Sequence, residues 1–313
     1  MPSIDINTRK LRYAIVLAEE LHFGRAASRL YLAQQALSRQ IKQLEQDVGV
    51  QLFERTTRTV ALTPAGAVFV ERAREAITAF ESSVETARRT ATTPSGLLRI
   101  GYIPGAALEL TPMILAEFEA RNPHVTVETR EFAAADPSAG LISSESDVAI
   151  IRLPQSTHAV ESEPLFSECV VAMMSGDHHL ASRASLNSHD LLNEPITLSN
   201  TDDPTYRAFW SLESARGGQP ATLIPISSIT EEIQVVSQRS AISLVPAAAS
   251  RFVPAPGLRF VPVTDWPKST VAVAWHATDQ SPAVHAFVKA SRSTRDRELA
   301  LVQMIESGVP SAN

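Results

Sequence analysis

Three helical patterns follow one another within the first fifty residues, and they restrict the fold more than any other feature of the chain. Apolar residues recur every three or four positions over residues 11–21, Gly24 interrupts them, and a shorter pattern follows at 26–30. The third pattern spans residues 37–48 and stops before Gly49, where a helix end favours the left-handed conformation that glycine adopts easily. The sequence therefore predicts a compact unit of three helices, with a first helix near residues 8–20.

The third predicted helix carries a stripe of polar side chains opposite its apolar residues. Gln35, Ser38, Arg39 and Lys42 follow a helical spacing, which places them on one face. A solvated face is the commoner meaning of a polar stripe, but this one contains donors and no acid. Because such groups hydrogen-bond to base edges and phosphates, the stripe indicates a helix that binds nucleic acid.

A hairpin and a long helix complete the N-terminal part. Residues 51–54 and 59–62 are strand-like around a basic tip, and Thr63 with Pro64 provides an N-cap and a first-turn proline. The long helix carries an apolar seam close to a heptad repeat, formed by Phe69, Ala73, Ala76, Phe80, Val84 and Ala87. Such a seam packs on its own domain about as often as on a second chain. Because residues 90–96 have the composition of a linker and leave the helix little of its own domain to contact, we predict a dimerisation helix.

Charge is distributed unevenly along the chain. Residues 1–65 contain nine Lys and Arg against six Asp and Glu, whereas residues 94–313 contain fifteen against twenty-four. The 313 residues suit two domains, and the 44% apolar and 20% charged content is typical of soluble globular proteins. No apolar run has the length of a membrane span or the form of a signal peptide, so we expect a cytoplasmic protein without membrane contact.

The remainder of the chain alternates between strand-like and helical segments. The strand-like segments are residues 97–102, 125–129, 148–151, 169–173 and 242–245, and the helical ones are residues 111–121, 230–238 and 282–290. This alternation predicts an α/β domain of about 200 residues with a central break.

The sequence contains no recognisable catalytic signature. His178 and His179 beside Asp177 resemble a metal cluster, but adjacent residues on a helix or strand do not converge, and neither histidine has a carboxylate at i, i+4 spacing. A loop after a strand is the commoner meaning of such residues, so we predict no metal site and no cofactor. Residues 101–105 lack the glycine pattern of dinucleotide-binding proteins, and no G-x-S-x-G motif occurs. We therefore predict that the protein is not an enzyme.

Cys169 is the single cysteine, so the chain forms no intramolecular disulfide. It lies in the apolar run 169–174, which predicts a buried core thiol. Regulation by oxidation of this one thiol stays open as an alternative.

The N-terminal residues resemble the LysR-type transcriptional regulators. The runs 20–27 (ELHFGRAA), 33–41 (AQQALSRQI), 52–55 (LFER) and 62–66 (LTPAG) are similar to the winged helix-turn-helix signature of that family. Gln35 stands where the family usually has proline at the start of the recognition helix, so the group presented to DNA differs.

The body of the chain resembles the effector-binding domain of the same family, which is similar to periplasmic binding proteins. The matching segments are residues 99–102, 110–112, 147–150, 163–166 and 244–246. Residues 239–241 (RSA) depart from the two glycines that the family commonly carries before the matching Pro246. The resemblance covers about residues 8–290.

The resemblance implies an α/β fold class with an N-terminal winged helix-turn-helix, a long dimerisation helix and a C-terminal two-lobed effector domain. The implied domains are residues 1–65, 66–93 and 94–300, with lobe I at 94–164 and 267–293 and lobe II at 165–266. A homodimer that assembles into a homotetramer would bind double-stranded promoter DNA. The implied DNA contacts are Gln34, Gln35, Ser38, Arg39, Lys42, Arg55 and Arg58, of which Lys42 and the two wing arginines suit phosphates.

A small-molecule effector is implied between the two lobes, with a small organic acid, and first an aromatic one, as the expected class. By family position the cleft residues are Pro104, Gly105, Ala134, Asn200, Thr201, Ser228 and Thr230. A ligand-binding protein of the periplasmic type is the alternative from another class, but it would explain the body and not the head.

Overall fold

A computed structural model of the chain describes residues 6–55, 60–92, 96–106, 108–156, 160–253, 256–279 and 281–307. The chain forms two compact units, Met1–Thr92 and Thr93–Asn313. None of the helices in the described ranges has the length and apolar character needed to cross a membrane.

The first unit contains three short helices, a hairpin and a long helix. In chain order these are α1 (Thr8–Glu20), α2 (Phe23–Arg29), α3 (Gln34–Val48), β1 (Phe53–Arg55), β2 (Val60–Leu62) and α4 (Pro64–Thr92). Strands β1 and β2 pair antiparallel. The predicted end of α3 is confirmed, because Gly49 has a φ of 83° and its N–H donates to the carbonyl of Glu45. The predicted cap of α4 is also confirmed, since the Thr63 hydroxyl accepts the Gly66 N–H at 2.9 Å.

The apolar stripe of α3 forms the centre of the first core. Leu37, Ile41 and Leu44 are fully buried and belong to one cluster with Leu17 of α1 and Phe53 of β1. Burying each large aliphatic side chain contributes about 1.5–3 kcal/mol, so this stripe alone orients α3 firmly. The opposite face of α3 is thereby turned outward.

Helix α4 corrects one expectation. Val70, Ala73 and Ile77 are buried, α4 packs against α1, and Arg74 pairs with Glu19 at 2.6 Å. The first half of α4 therefore lies against its own unit, contrary to the expectation that it has little to contact. Within the predicted seam Ala73 faces inward, whereas Phe80 is 52% exposed. A spacing of three and four residues suits two adjacent helical faces equally well, so Ala73 turns inward here while the pairing of the seam with a second chain stays a prediction.

Lobe I of the second unit is built on a five-stranded sheet in the order β4-β3-β5-β12-β6. The strands are β3 (Leu97–Tyr102), β4 (Thr126–Glu131), β5 (Val148–Leu153), β6 (Val160–Glu168) and β12 (Ser269–His276), packed with α5 (Thr111–Arg121), α9 (Pro282–Arg297) and α10 (Leu299–Glu306). Strand β3 is parallel to β4 and β5, and β12 is antiparallel to β5 and β6.

Lobe II is inserted between β6 and β12. It contains β7 (Val170–Ser175) between β10 (Ser243–Pro246) and β11 (Leu258–Pro262), and the parallel pair β8 (Ile196–Ser199) and β9 (Leu223–Ile226). Its helices are α6 (Pro204–Trp210), α7 (Ile229–Ser237) and α8 (Ala248–Phe252). Aromatic side chains contribute much of its core, including Phe209, which packs edge-on against Trp210 at 4.9 Å between ring centroids.

Two predicted boundaries of the second unit are corrected. The division between residues 164 and 165 falls inside β6, which pairs with β12 from Val160 to Glu168 and so belongs wholly to lobe I. The predicted ends at residues 293 and 300 are too early, since Val302 and Ile305 of α10 are buried in the core of lobe I. Strand β6 has a mixed burial pattern, which hides it from a search for apolar alternation.

Candidate nucleic-acid interface and ligand-binding cleft

The outward face of α3 presents the polar stripe to solvent. Gln34, Gln35, Arg39 and Lys42 are exposed and Ser38 is half-buried. The residue before the helix is Ala33, which offers no side-chain cap. The first turn of α3 therefore keeps backbone N–H groups available to an anion at the positive end of the helix dipole.

The two cations of this face differ from most others in the first unit. Within the described part of the chain, no hydrogen bond or ion pair engages Arg39 or Lys42, whereas Arg29 pairs with Glu19 at 2.7 Å. The hydrogen bonds of Arg29 to Glu19 and Glu20 raise its pKa further. An unpaired guanidinium and ammonium on one exposed helix face are free to meet an external polyanion.

The acids at the end of α3 are engaged by other parts of the first unit. The Glu45 carboxylate accepts the N–H groups of Leu52 and Phe53, both at 3.0 Å, and so joins α3 to the hairpin. Asp47 pairs with Lys10 at 2.6 Å, and this hydrogen bond holds its pKa below the usual range. The carboxylates of Glu45 and Asp47 therefore bind groups of the protein itself, and they do not neutralise the positive charge on the first half of the stripe.

Two residues near this surface escaped sequence reasoning. Tyr31 has a φ of 54° in the turn before α3, and its side chain is 96% exposed. His22 caps α2, because its Nδ1 accepts the N–H groups of Gly24 and Arg25 at 3.0 and 3.2 Å. Neither residue belongs to a periodic pattern of the sequence. The available signal was position, since His22 directly precedes α2 and Tyr31 lies in the short turn between α2 and α3.

The wing is described in part. Arg55 is the last residue of β1. Arg58, at the predicted basic tip, lies outside the described residues. Their proposed contact with phosphates stays a prediction.

A buried charge network lies where the chain crosses between the lobes. Arg152, 2% exposed, donates to Glu168, the Gly105 carbonyl and Ser269, at 2.8, 2.8 and 3.3 Å. Glu168 ends β6 and Ser269 begins β12, so one guanidinium holds both crossing points. The second oxygen of Glu168 accepts the Ala248 N–H at 2.7 Å, which attaches α8 of lobe II to the same network.

Two further contacts connect the lobes. Arg251 of α8 donates to Glu109 of lobe I at 2.9 Å, and burial raises the pKa of Glu109. Ser156, which follows β5, donates its N–H to the Asp203 carboxylate at 2.8 Å. Asp203 is also the N-cap of α6, so this contact fixes the start of α6 against lobe I.

The predicted cleft residues lie at the ends of strands and helices in both lobes. Pro104 and Gly105 follow β3, and Gly105 has a φ of 77° and approaches Pro246 of lobe II. Ala134 follows β4 and is half-buried. Ser228 is the N-cap of α7, accepting the Glu231 N–H at 3.2 Å, and Thr230 is exposed in the first turn.

Asn200 and Thr201 line a cavity of about 360 Å³. The other residues of its lining are Asp202, Pro204, Arg207 and Glu213. The remaining five predicted cleft residues do not belong to this lining, so the structure brings together only Asn200 and Thr201 at one described cavity.

Sequence reasoning missed Tyr206 and Glu232, which lie in the same lobe. Tyr206 is 8% exposed, and burial raises its pKa. Burial also raises the pKa of Glu232, although Ser243 and Thr197 donate hydrogen bonds to its carboxylate. These groups become neighbours only through the packing of α6 and α7 on the strands.

Two predictions about reactive side chains are wrong. Cys169 is half-buried in the single-residue link between β6 and β7, so it is not part of the core. His178 and His179 do converge, together with Glu194, because they lie in a turn and not on a strand.

Family models match both units. Residues 8–67 match the bacterial regulatory helix-turn-helix protein of the lysR family, and residues 91–295 match the LysR substrate binding domain. The chain belongs to the LysR family of transcriptional regulators. This LysR-type regulator thus combines a DNA-binding head with an effector-binding domain, as the resemblance implied.

Known relatives of the regulator span nearly its whole length. The HTH-type transcriptional regulator AlsR of Bacillus subtilis is 36% identical over 93% of this chain and 97% of its own. The dual regulator OxyR of Escherichia coli is 31% identical over 78% of this chain and 80% of its own. The crystal structure of full-length BenM has a TM-score of 0.54 at 25% identity and covers 94% of this chain and 98% of its own.

Proposed function

We propose that the regulator binds promoter DNA with the N-terminal half of α3 in the major groove. Gln34, Gln35 and Arg39 would read base edges, with Ser38 beside them. Arginine and glutamine are suited to this, because each can form paired hydrogen bonds to guanine or adenine. The observation that carries the proposal is the exposed, unpaired state of Arg39 and Lys42 on the face opposite the core.

Contacts to the phosphate backbone of the DNA would supply affinity that does not depend on the base sequence. Lys42 suits a phosphate beside the groove, and Arg55 and Arg58 of the wing suit phosphates on its other side. The exposed Tyr31 adds a phenol donor near the start of α3. Such contacts set the register of the helix on the duplex.

Dimerisation would place two heads on two half-sites, since one head buries too little surface for useful specificity. Val68 and Phe80 of α4 are 60% and 52% exposed, whereas Val70, Ala73 and Ile77 of the same helix are buried. Large apolar side chains left on a long helix support pairing with a second copy. Assembly of dimers into a tetramer through the second unit is part of the proposal.

The effector would be a small organic acid, an aromatic one first, held at the cleft between the lobes. The cavity at Asn200 and Thr201 supports a small-molecule site on the lobe II side, because about 360 Å³ suits a small molecule. Arg207 in its lining offers a cation to a carboxylate, beside the acids Asp202 and Glu213. Ligand binding would shift the balance between two lobe arrangements, with the network around Arg152 as the pivot. The protein would act in the cytoplasm and without catalysis.

The DNA contacts are tested by fluorescence anisotropy with the full chain and a footprinted promoter fragment at fixed salt. Arg39→Ala should weaken specific binding by about 5- to 150-fold, the range for losing a base contact of 1–3 kcal/mol. Arg183→Ala removes an arginine of similar exposure from lobe II and should leave binding unchanged. An Arg39→Ala protein with wild-type affinity would refute the assignment.

A further inference from the structure

Two imidazoles and one carboxylate meet on the surface of lobe II. His178 and His179 lie in the turn after β7, and Glu194 lies shortly before β8. The Nε2 atom of His178 is 3.3 Å from one Glu194 oxygen, and the Nε2 atom of His179 is 3.5 Å from the other. The three groups offer ligand atoms that all lie within 4.8 Å of one another.

The backbone turn explains why adjacent histidines face the same way. The His178 N–H donates to the Ser175 carbonyl, and the Ala181 N–H donates to the His178 carbonyl, both at 2.9 Å. This tight turn removes the alternation of side chains that a strand would impose. The two rings lie 4.5 Å apart between centroids and are inclined by 33°.

The spacing matches the coordination geometry of a small divalent ion. Zinc binds histidine nitrogen and carboxylate oxygen at about 2.0–2.2 Å, so neighbouring ligand atoms in a tetrahedral site lie about 3.3–3.6 Å apart. The separations of 3.3 and 3.5 Å, each from one imidazole nitrogen to a different Glu194 oxygen, are of this size, and one ligand atom from each of the three residues lies within 4.8 Å of the others. We propose that His178, His179 and Glu194 bind a divalent transition-metal ion of the zinc class.

The burial of the three ligands defines the kind of site. The side chains of His178 and Glu194 are 14% and 19% exposed, whereas His179 is 67% exposed. Two ligands are thus fixed by the surrounding lobe and the third completes the site from solvent. The fourth position is open to water, which distinguishes this arrangement from a closed structural zinc site.

Metal binding would change one hydrogen bond of His178. His178 Nδ1 accepts the Leu180 N–H at 3.3 Å, so its Nε2 carries the hydrogen directed at Glu194. Coordination through Nε2 requires the other tautomer, and therefore opens this long contact to Leu180.

The test uses the full chain, stripped with a chelator and titrated with Zn²⁺ against a chromophoric competitor at pH 7.5. We expect one equivalent per chain at this site. His179→Ala should weaken binding at least about tenfold. This variant suits the test because His179 is exposed, and its melting temperature without metal should equal that of the wild type.

Two further variants separate this site from other metal-binding groups. Glu194→Gln should lose affinity in the same way as His179→Ala, whereas His189→Ala removes an exposed histidine of the same lobe outside the cluster and should bind as the wild type does. Failure of the wild type to bind one equivalent would overturn the proposal. Wild-type affinity in both His179→Ala and Glu194→Gln would also overturn it, leaving the cluster as hydrogen bonds only.

Discussion

Replacing Arg152 by methionine tests whether its network holds the lobes together. The substitution removes the contacts at 2.8, 2.8 and 3.3 Å and leaves Glu168, which is 0% exposed, without its closest cationic partner. Breaking a buried ion pair by removing one partner costs about 3–5 kcal/mol. Arg251 lies 3.4 Å from the same carboxylate and compensates in part, so we expect the lower end, about 3 kcal/mol.

The assay is the free energy of unfolding of the full chain from urea denaturation, with thermal melting beside it. For a unit of this size, a loss of about 3 kcal/mol lowers the melting temperature by roughly 6–12 °C. Glu168→Gln added to Arg152→Met removes the uncompensated charge, and the double variant should be more stable than the single one. A loss below about 1 kcal/mol in Arg152→Met, or a double variant less stable than the single, would refute this reasoning.

Three other substitutions give independent checks. The hydrogen bond from Arg297 lowers the pKa of Glu117 to about 2, so this carboxylate contributes stability above about pH 4.5 that is lost as the pH falls towards 2. The free energy of unfolding should therefore depend less on pH over this range in Glu117→Gln than in the wild type. An unchanged pH dependence would contradict the pairing. Lys42→Gln should reduce the slope of log binding constant against log salt concentration by about 0.9 for each head that binds DNA. Fluorescence anisotropy at several salt concentrations measures this slope, and an unaltered slope would show that Lys42 does not contact a phosphate. A Cβ at Gly66 would lie 2.0 Å from the Leu52 carbonyl oxygen, so Gly66→Ala should lower the stability of the first unit by about 1–3 kcal/mol. A variant with the melting temperature of the wild type would show that the main chain shifts to relieve this contact without cost.

The first unit could be predicted closely because its information is local. The apolar spacing of α3, Gly49 after it and the Thr63 cap each lie within a few residues of the feature that they determine. The outward face of α3 followed from the same spacing. The packing of the first half of α4 on its own unit did not, because it depends on α1, which is distant in sequence.

The second unit was predicted less well because its contacts are distant in sequence. Strand β6 pairs with β12, and the Arg152 network joins four separate segments of the chain. A loop after β7 was expected, but the convergence of His178, His179 and Glu194 was not, because Glu194 belongs to a separate segment that packing brings beside this loop. None of these arrangements leaves a periodic signal in the residues that take part.

The strand order of lobe I has a consequence for how the chain is made. Strand β12 is made after the whole of lobe II, yet it lies between β5 and β6, which are made much earlier. A nascent chain that ends before residue 269 therefore carries β5, buried along nearly its whole length in the finished protein, with one edge unpaired. The head can fold before then, whereas lobe I must wait until β12 has been made, which makes this interval the period of greatest need for chaperone protection.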